Sequence, residues 1–425
     1  MNKVIHAVKG TREFYPEDMA LRNFINDKIR QACQLFGYQE WDGPFIESID
    51  LYAAKSGDEL VKKQAFVFSD KGGDMVTLRP ELTPSLARMV AKKQNELTFP
   101  LRWWSFGPFW RYEQPQRGRT REFFQWNIDM LGSGSPESDA ELIAVAVTFF
   151  KLVGFKPDQV QIRVNDRRLM NSQFSLIGIP EDKHSELSGL IDRQQKMKPE
   201  AWDENALLLG LSADQLGKLK QVLTNSDLYK SSPELISVFK ALESMGVSEY
   251  VLFDPKIMRG LLYYTGTVFE AFDLSGAMPR SIFGGGRYDN LLAAVGGEPL
   301  PAVGFAMGDV GIGLILRDAG LINPSVPSPA HVLVTVFDEN LLLDSYNLAA
   351  GLRLTGLNVS VYPELTKLPK QFKYADKMGM RVVLVLGPDE AVNGKVTVKN
   401  LAKGSQETIA QTDLVDTIRK ILETG

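Results

Sequence analysis

Residues 101–131 read LRWWSFGPFWRYEQPQRGRTREFFQWNIDML. Two aromatic-rich runs bracket QPQRGRT, whose Pro115 and Gly118 supply turn chemistry. The segment predicts two antiparallel strands joined by a basic loop. Arg111, Arg117, Arg119 and Arg121 fall within eleven residues of a chain whose formal net charge is −4. Four guanidinium groups near one turn repel one another unless an anion sits between them. A bare charge run marks a solvated face more often than a site. Here, however, Arg111 and Glu113 are two apart on an expected strand, as are Arg121, Phe123 and Gln125 on its return. A sheet face of Arg, Glu, Arg, aromatic and Gln is poor core and a good polyanion site.

The rest of the first three hundred residues arranges itself around that hairpin. Leu21, Phe24, Ile25, Ile29, Cys33 and Phe36 share a helical face that Gly37 terminates. YQEWDGPFIES reads as a strand interrupted at Gly43-Pro44. KQAFVFSDKGGDMVTLRPELTPSLARMVA reads as strand, turn, strand and a helix starting near Thr83-Pro84. Residues 170–245 are polar and helix-patterned, as an insertion would be, before strands resume at YVLFDP and TVFEAFDL. SIFGGGRYDNLLAAVG predicts strand, glycine turn and helix. LINPSVPSPAH, residues 321–331, is the linker expected between a domain spanning 1–325 and one spanning 332–425. Beyond it VLVTVF, NVSVY and RVVLVLG alternate with helical stretches, so the last domain is α/β.

Composition excludes several classes. One cysteine, Cys33, and three scattered histidines argue against a disulfide framework and against a zinc site built from His/Cys clusters. No apolar run approaches the eighteen residues of a membrane span, and no signal-type apolar core opens the chain, so a cytoplasmic location is expected. Glu81 and Thr83 sit at a strand-to-helix junction, where a carboxylate serves a helix start about as often as a ligand. Arg259-Gly260 before Tyr263-Tyr264 fits a turn entering an aromatic strand. Gly284–Gly286 lacks the Walker and G-x-G-x-x-G patterns. Lys367, Lys370, Lys373 and Lys377 lie along one helical face, which suits either solvent or an RNA backbone.

Taken in order, VKGTREFYPED, LRPELT, FWRYEQPQRGRTREFFQWNID, RGLLYYTGTVFE, GGGRYD and LPKQFKYADKMG resemble the histidyl-tRNA synthetases over essentially the full length. The resemblance implies an α+β catalytic domain with the antiparallel sheet of the class II synthetase fold, a mostly helical insertion and a C-terminal α/β anticodon-binding domain. It implies a homodimer, through the motif 1-like DGPFIES, and activation of L-histidine by ATP with accompanying Mg2+, followed by transfer to tRNA(His). On this resemblance Arg111 and Arg259 are catalytic at the α-phosphate. Glu113, Arg119, Arg121 and Phe123 join Arg111 on ATP. Glu81, Thr83, Gln125, Asp129, Tyr263 and Tyr264, with Arg111 and Arg259, hold histidine. Gln114, Gln116, Arg117 and Gly118 meet the tRNA acceptor end, and the four lysines belong to the anticodon domain.

The residue types suit that chemistry. A carboxylate that is already ionised must be forced onto an α-phosphorus, so positioning and cationic stabilisation suffice. The sequence also departs from the family. Leu262 replaces an aspartate in RGLLYY, and Asp129 replaces a common glutamate. Gly308, Asp309, Val310 and Gly311 stand where motif 3 reads Gly-Leu-Glu-Arg, so its arginine is missing. A non-catalytic relative that binds histidine or tRNA and regulates a partner is the alternative. Retention of Arg111, Arg121, Arg259 and an anticodon-type domain favours the enzyme.

Overall fold

The computed structural model describes residues 4–53, 63–259, 263–278, 280–322 and 328–423, so Gly260, Leu262 and part of the linker lie outside the described residues. The chain divides into two units, Met1–Pro324 and Ser325–Gly425. Strands of the first are β1 (Gln39–Glu40), β2 (Ile46–Ser48), β3 (Phe66–Ser69), β4 (Met75–Leu78), β5 (Leu101–Trp110), β6 (Glu122–Leu131), β7 (Val160–Asp166), β8 (Val251–Phe253), β9 (Thr267–Asp273), β10 (Ser281–Arg287) and β11 (Ala302–Gly308). The aromatic runs form the expected hairpin, with β5 and β6 paired from Leu101–Leu131 to Trp110–Glu122. That pair anchors an eight-stranded sheet, β1-β5-β6-β11-β10-β9-β7-β8, antiparallel except at its two edge pairs. The chain break at Gly43-Pro44 has a reason: β1 joins this sheet, whereas β2 crosses to a separate three-stranded sheet, β2-β4-β3.

Strand alternation assigns the two faces of the large sheet. Trp126, Ile128 and Met130 of β6, Phe269 and Ala271 of β9, Phe283 of β10 and Val303, Phe305 and Met307 of β11 point into the main core. There they meet the Pro16–Leu35 and Pro136–Val153 helices. Helices of the 170–245 segment contribute Leu187, Trp202, Leu219 and Val238 to this same core, so the insertion shares its apolar interior with the sheet. On the opposite face a smaller cluster gathers Leu86 and Val90 of the Thr83–Lys93 helix with Leu131, Tyr264, Val268 and Tyr288.

In the second unit β12 (Val332–Val334), β13 (Val359–Val361) and β14 (Val382–Val385) are parallel, as their alternation with helices predicts. Two further antiparallel strands, β15 (Lys395–Asn400) and β16 (Ser405–Ala410), extend the sheet. The Leu368–Lys377 helix buries Gln371 and Ala375 and leaves Lys367, Lys370, Lys373 and Lys377 exposed.

Candidate active site

The face of the large sheet away from the main core is nearly free of side chains at its centre. Gly284 and Gly286 of β10 lie beside Ala306 and Gly304 of β11, and Gly308 closes the row. Phe123, Gln125 and Asp129 of β6 wall one side, and Glu270 and Phe272 of β9 wall the other. Gly284–Gly286 is therefore strand interior, not the turn expected from its sequence. A Cβ at Gly284 would overlap the Arg259 guanidinium, one at Gly286 would stand 2.9 Å from the Tyr264 ring, and one at Gly304 would overlap the Asp129 carboxylate. Gly285 faces the other way and would strike Phe305 and the Gly304 carbonyl. Each glycine admits a different neighbour.

Arg259 lies flat over Gly284 and pairs with Glu270. Burial opposes its charge, but Glu270 and Tyr264 outweigh that, so the guanidinium titrates above its ordinary value. Its backbone has φ +56, a left-handed conformation that costs a non-glycine residue about 1–2 kcal/mol. Arg167 holds it there: its guanidinium donates to the carbonyls of Met258 at 3.1 Å, Arg259 at 2.6 Å and Tyr264 at 3.0 Å. One side chain thus fixes the backbone at both Arg259 and Tyr264.

Asp129 is buried against the trough and accepts a hydrogen bond from the Tyr288 hydroxyl. Burial pushes its carboxyl up to about 7, with the tyrosine pulling the other way. Tyr263 packs between Tyr264, tilted at 5.0 Å, and Tyr288, edge-on at 5.9 Å. Burial raises the Tyr263 hydroxyl first, then Tyr264, Glu81 and Asp129, while Arg259 lowers it, which brings all of these groups into one electrostatic neighbourhood. Glu81 is buried and Thr83 begins the Thr83–Lys93 helix, whose N-cap is Leu82. Tyr288 and Arg167 are absent from the sequence-derived set. GGGRYD contained Tyr288, and only the fold brings it to Asp129, 159 residues away.

The arginine segment differs from expectation. β5 ends at Trp110 and β6 begins at Glu122, so Arg111, Glu113 and Arg121 stand in the connecting loop, outside the strand alternation assumed for them. Nor does an anion have to hold the loop together. Arg117 pairs with Asp318 at 3.2 Å and Arg119 with Glu113 at 2.7 Å. Arg121 donates to the Glu113 carbonyl at 3.2 Å and the Lys9 carbonyl at 3.3 Å, over the Tyr112 ring at 3.9 Å. Arg111 donates to the Pro80 carbonyl at 2.8 Å and lies 5.5 Å from the Phe123 ring centre.

A cavity of about 790 Å³ opens over the trough. Arg111, Arg119, Lys196, Lys256, Arg259 and Arg280 line it against Glu113, Asp192 and Glu270, an excess of three positive charges. Phe123, Gln125 and Gly118 also line it, whereas Arg121 and Arg117 point elsewhere. Asp129, Glu81, Thr83, Tyr263 and Tyr264 lie outside the lining of that cavity. Lys196 and Asp192 come from the helical segment, so it closes one wall.

An antiparallel sheet of this order, carrying a basic-loop hairpin beside a glycine-floored cationic trough, is the catalytic architecture of class II aminoacyl-tRNA synthetases. Comparison with known proteins narrows the class. The chain belongs to the histidyl-tRNA synthetase family: the model described as Histidyl-tRNA synthetase matches residues 10–309, and an Anticodon binding domain matches 331–421. A histidine–tRNA ligase of Leptospira biflexa is 36% identical over 97% of both chains. The chloroplastic/mitochondrial histidine–tRNA ligase of Arabidopsis thaliana is 37% identical, covering 96% of this chain and 86% of its own. The crystal structure of histidyl-tRNA synthetase from Nostoc sp. PCC 7120 superposes with a TM-score of 0.83 at 27% identity, covering 99% of this chain and 100% of that one.

Proposed function

We infer that the chain is a histidine–tRNA ligase that activates L-histidine with ATP and transfers it to the 3′ end of tRNA(His). The observation that carries this reading is Arg259 seated over Gly284 in a cavity of net positive charge, with Tyr264 against it and the Asp129–Tyr288 pair on the same sheet outside the cavity lining. The histidine carboxylate oxygen attacks the α-phosphorus, that O–P bond forms, and the bond to the bridging oxygen breaks to release pyrophosphate. Arg111 and Arg259 draw the two anions together, Phe123 stacks on adenine and Arg119 meets the phosphates. Glu113 serves the adenine side. Gln125, Glu81 and Thr83 take the α-ammonium group; Asp129, Tyr264 and Tyr263 surround the imidazole, with Tyr288 orienting Asp129. Arg121, which bonds loop carbonyls and lines no part of the cavity, supports the loop from outside.

Mg2+ enters with ATP as part of the substrate, held chiefly by phosphate and water as this ion prefers. Exposed Gln114, Gln116 and Arg117 with Gly118 extend towards the tRNA acceptor end, and the lysine stripe of the Leu368–Lys377 helix serves the anticodon end. Ile46 and Phe68 are exposed on one face of the small sheet, an apolar surface suited to a second copy of the chain, which supports a homodimer. Among the described residues no helix is long and apolar enough to cross a membrane, and a cytoplasmic enzyme is consistent with that. Likeness to an ATP phosphoribosyltransferase regulatory subunit/histidyl-tRNA synthetase of Bacillus halodurans, 21% identical with a TM-score of 0.74, is one of fold alone. Histidine-dependent exchange between pyrophosphate and ATP, followed by charging of a tRNA(His) transcript, tests the reading; a folded protein with no exchange refutes it.

A further inference from the structure

The family arginine missing at Gly311 leaves a wall of the cavity to be accounted for. Gly311 lies in the first turn of the Asp309–Asp318 helix and borders the cavity. A Cβ there would stand 2.8 Å from Cε and 3.0 Å from Sδ of Met278. Met278 precedes Arg280 by two residues, and both line the same cavity. β10 and β11 are antiparallel with Phe283 opposite Met307. The chain running back from Phe283 to Arg280 therefore runs beside the chain leaving Met307 for Gly311. Arg280, the residue before β10, thus enters the same cavity as Gly311, two residues from the methionine that packs against that glycine.

Its hydrogen bonding leaves a buried donor open, as that of Arg259 does at Nε, but among the described residues Arg280 lacks the carboxylate or carbonyl partner that the other cavity arginines have. Arg119 has Glu113, Arg259 has Glu270 and Arg111 has the Pro80 carbonyl. The Nη1 of Arg280 is buried with no hydrogen-bond partner among the described residues. Leaving a buried charged donor unsatisfied is costly, so the group is poised for an acceptor that arrives from outside. Planar guanidinium donors match phosphate oxygens in a two-point contact. Arg259 stands over Gly284, four residues further along β10, which is at most about 13 Å of extended strand. Two cations set that far apart along one trough bracket a chain of phosphates better than a single one.

We propose that Arg280 binds the β- and γ-phosphates of ATP in place of the arginine absent at Gly311. This assignment rests on the reading of the cavity as an ATP site. The test measures binding of ATP, pyrophosphate and AMP by calorimetry to the full chain and to Arg280→Ala and Arg280→Lys, alongside exchange kinetics. Affinity for ATP and pyrophosphate falls roughly 10- to 100-fold in Arg280→Ala and is partly restored in Arg280→Lys, the loss expected for one charged hydrogen-bonded contact. AMP affinity and the KM for histidine stay within about twofold. Equal losses for ATP and AMP, or unchanged ATP affinity, overturn the assignment, and Arg280→Lys keeps the comparison available if the alanine variant misfolds. Wild-type protein that binds ATP but shows no histidine-dependent exchange refutes the ligase reading without touching the assignment of Arg280.

Discussion

Gly284→Ala separates the floor of the trough from the rest of the fold. The residue sits inside β10 without a positive φ, so its backbone accepts alanine. Glycine within a strand is less stable than alanine by about 0.5–1 kcal/mol, so the backbone term alone favours the variant. The nearest group to the added methyl is the Arg259 guanidinium, within overlap distance, which ends a flexible side chain and can swing away. Stability should therefore hold or rise slightly. Activity should not. Displacing a guanidinium by about 1 Å from a reacting phosphate costs on the order of 100-fold, or about 2.7 kcal/mol of transition-state stabilisation. Histidine-dependent pyrophosphate exchange measures this, with a melting curve on the same sample and Arg259→Ala, expected to abolish adenylate formation, as the floor. A melting temperature that does not fall, with kcat down about 100-fold, is the expected pair. Near-normal exchange in Gly284→Ala would show that Arg259 does not act from its seat over β10. Loss of stability in step with activity would show that the glycine serves packing.

Three other perturbations read different parts of the molecule. Asp129 titrates near 7, above its unfolded value, so its protonated form contributes stability that is complete below about pH 4 and lost as pH rises through 7. Asp129→Asn should remove this slope, about 3 kcal/mol between pH 5 and 8, and an unchanged pH profile of unfolding would contradict the shift. Asp309 accepts from Arg12 at 2.9 Å and from the Phe124 N–H at 2.9 Å, so Asp309→Ala should cost about 2–4 kcal/mol in thermal unfolding, with Asp309→Asn costing less. Lys373→Glu with Lys377→Glu should weaken tRNA charging, lower the salt slope of tRNA binding by about 1.5 and leave pyrophosphate exchange intact; equal effects on both reactions would deny the stripe a role in RNA binding.

What the sequence discloses and what it hides divide along physical lines. β5 and β6 are legible because ten-residue aromatic runs around a Pro/Gly turn leave few alternatives. β15 and β16 escape because KVTVKN and SQETIA alternate with polar residues on their outer face and carry little apolar signal. Gly284–Gly286 misleads because a glycine triplet ordinarily marks a turn, while here each missing side chain makes room for a partner remote in sequence. Arg167 is invisible for the same reason, since the carbonyls it holds lie 91 to 97 residues away. Motif resemblance reaches Asp129 and Arg259 but not the groups that orient them, whose signal is only spatial.

The density of arginines in residues 111–121 also acquires a different explanation. Repulsion among them appeared to require an anion, yet each finds a partner within the protein. The N-terminal segment supplies part of this. The Gly10 carbonyl accepts from Arg121 N–H at 2.9 Å and Glu122 N–H at 3.2 Å, and a Cβ at Gly10 would stand 2.7 Å from the Arg121 side chain. Arg12 reaches Asp309, tying the same segment to the start of the Asp309–Asp318 helix. The loop can therefore order itself before any nucleotide arrives. Among the members that line the cavity, Arg119 has the bond cheapest to exchange, because its pair with Glu113 is half exposed on the arginine side and such pairs contribute about 0–1 kcal/mol. A phosphate entering the cavity competes with one weak surface-facing ion pair, while Arg121 keeps the loop in place.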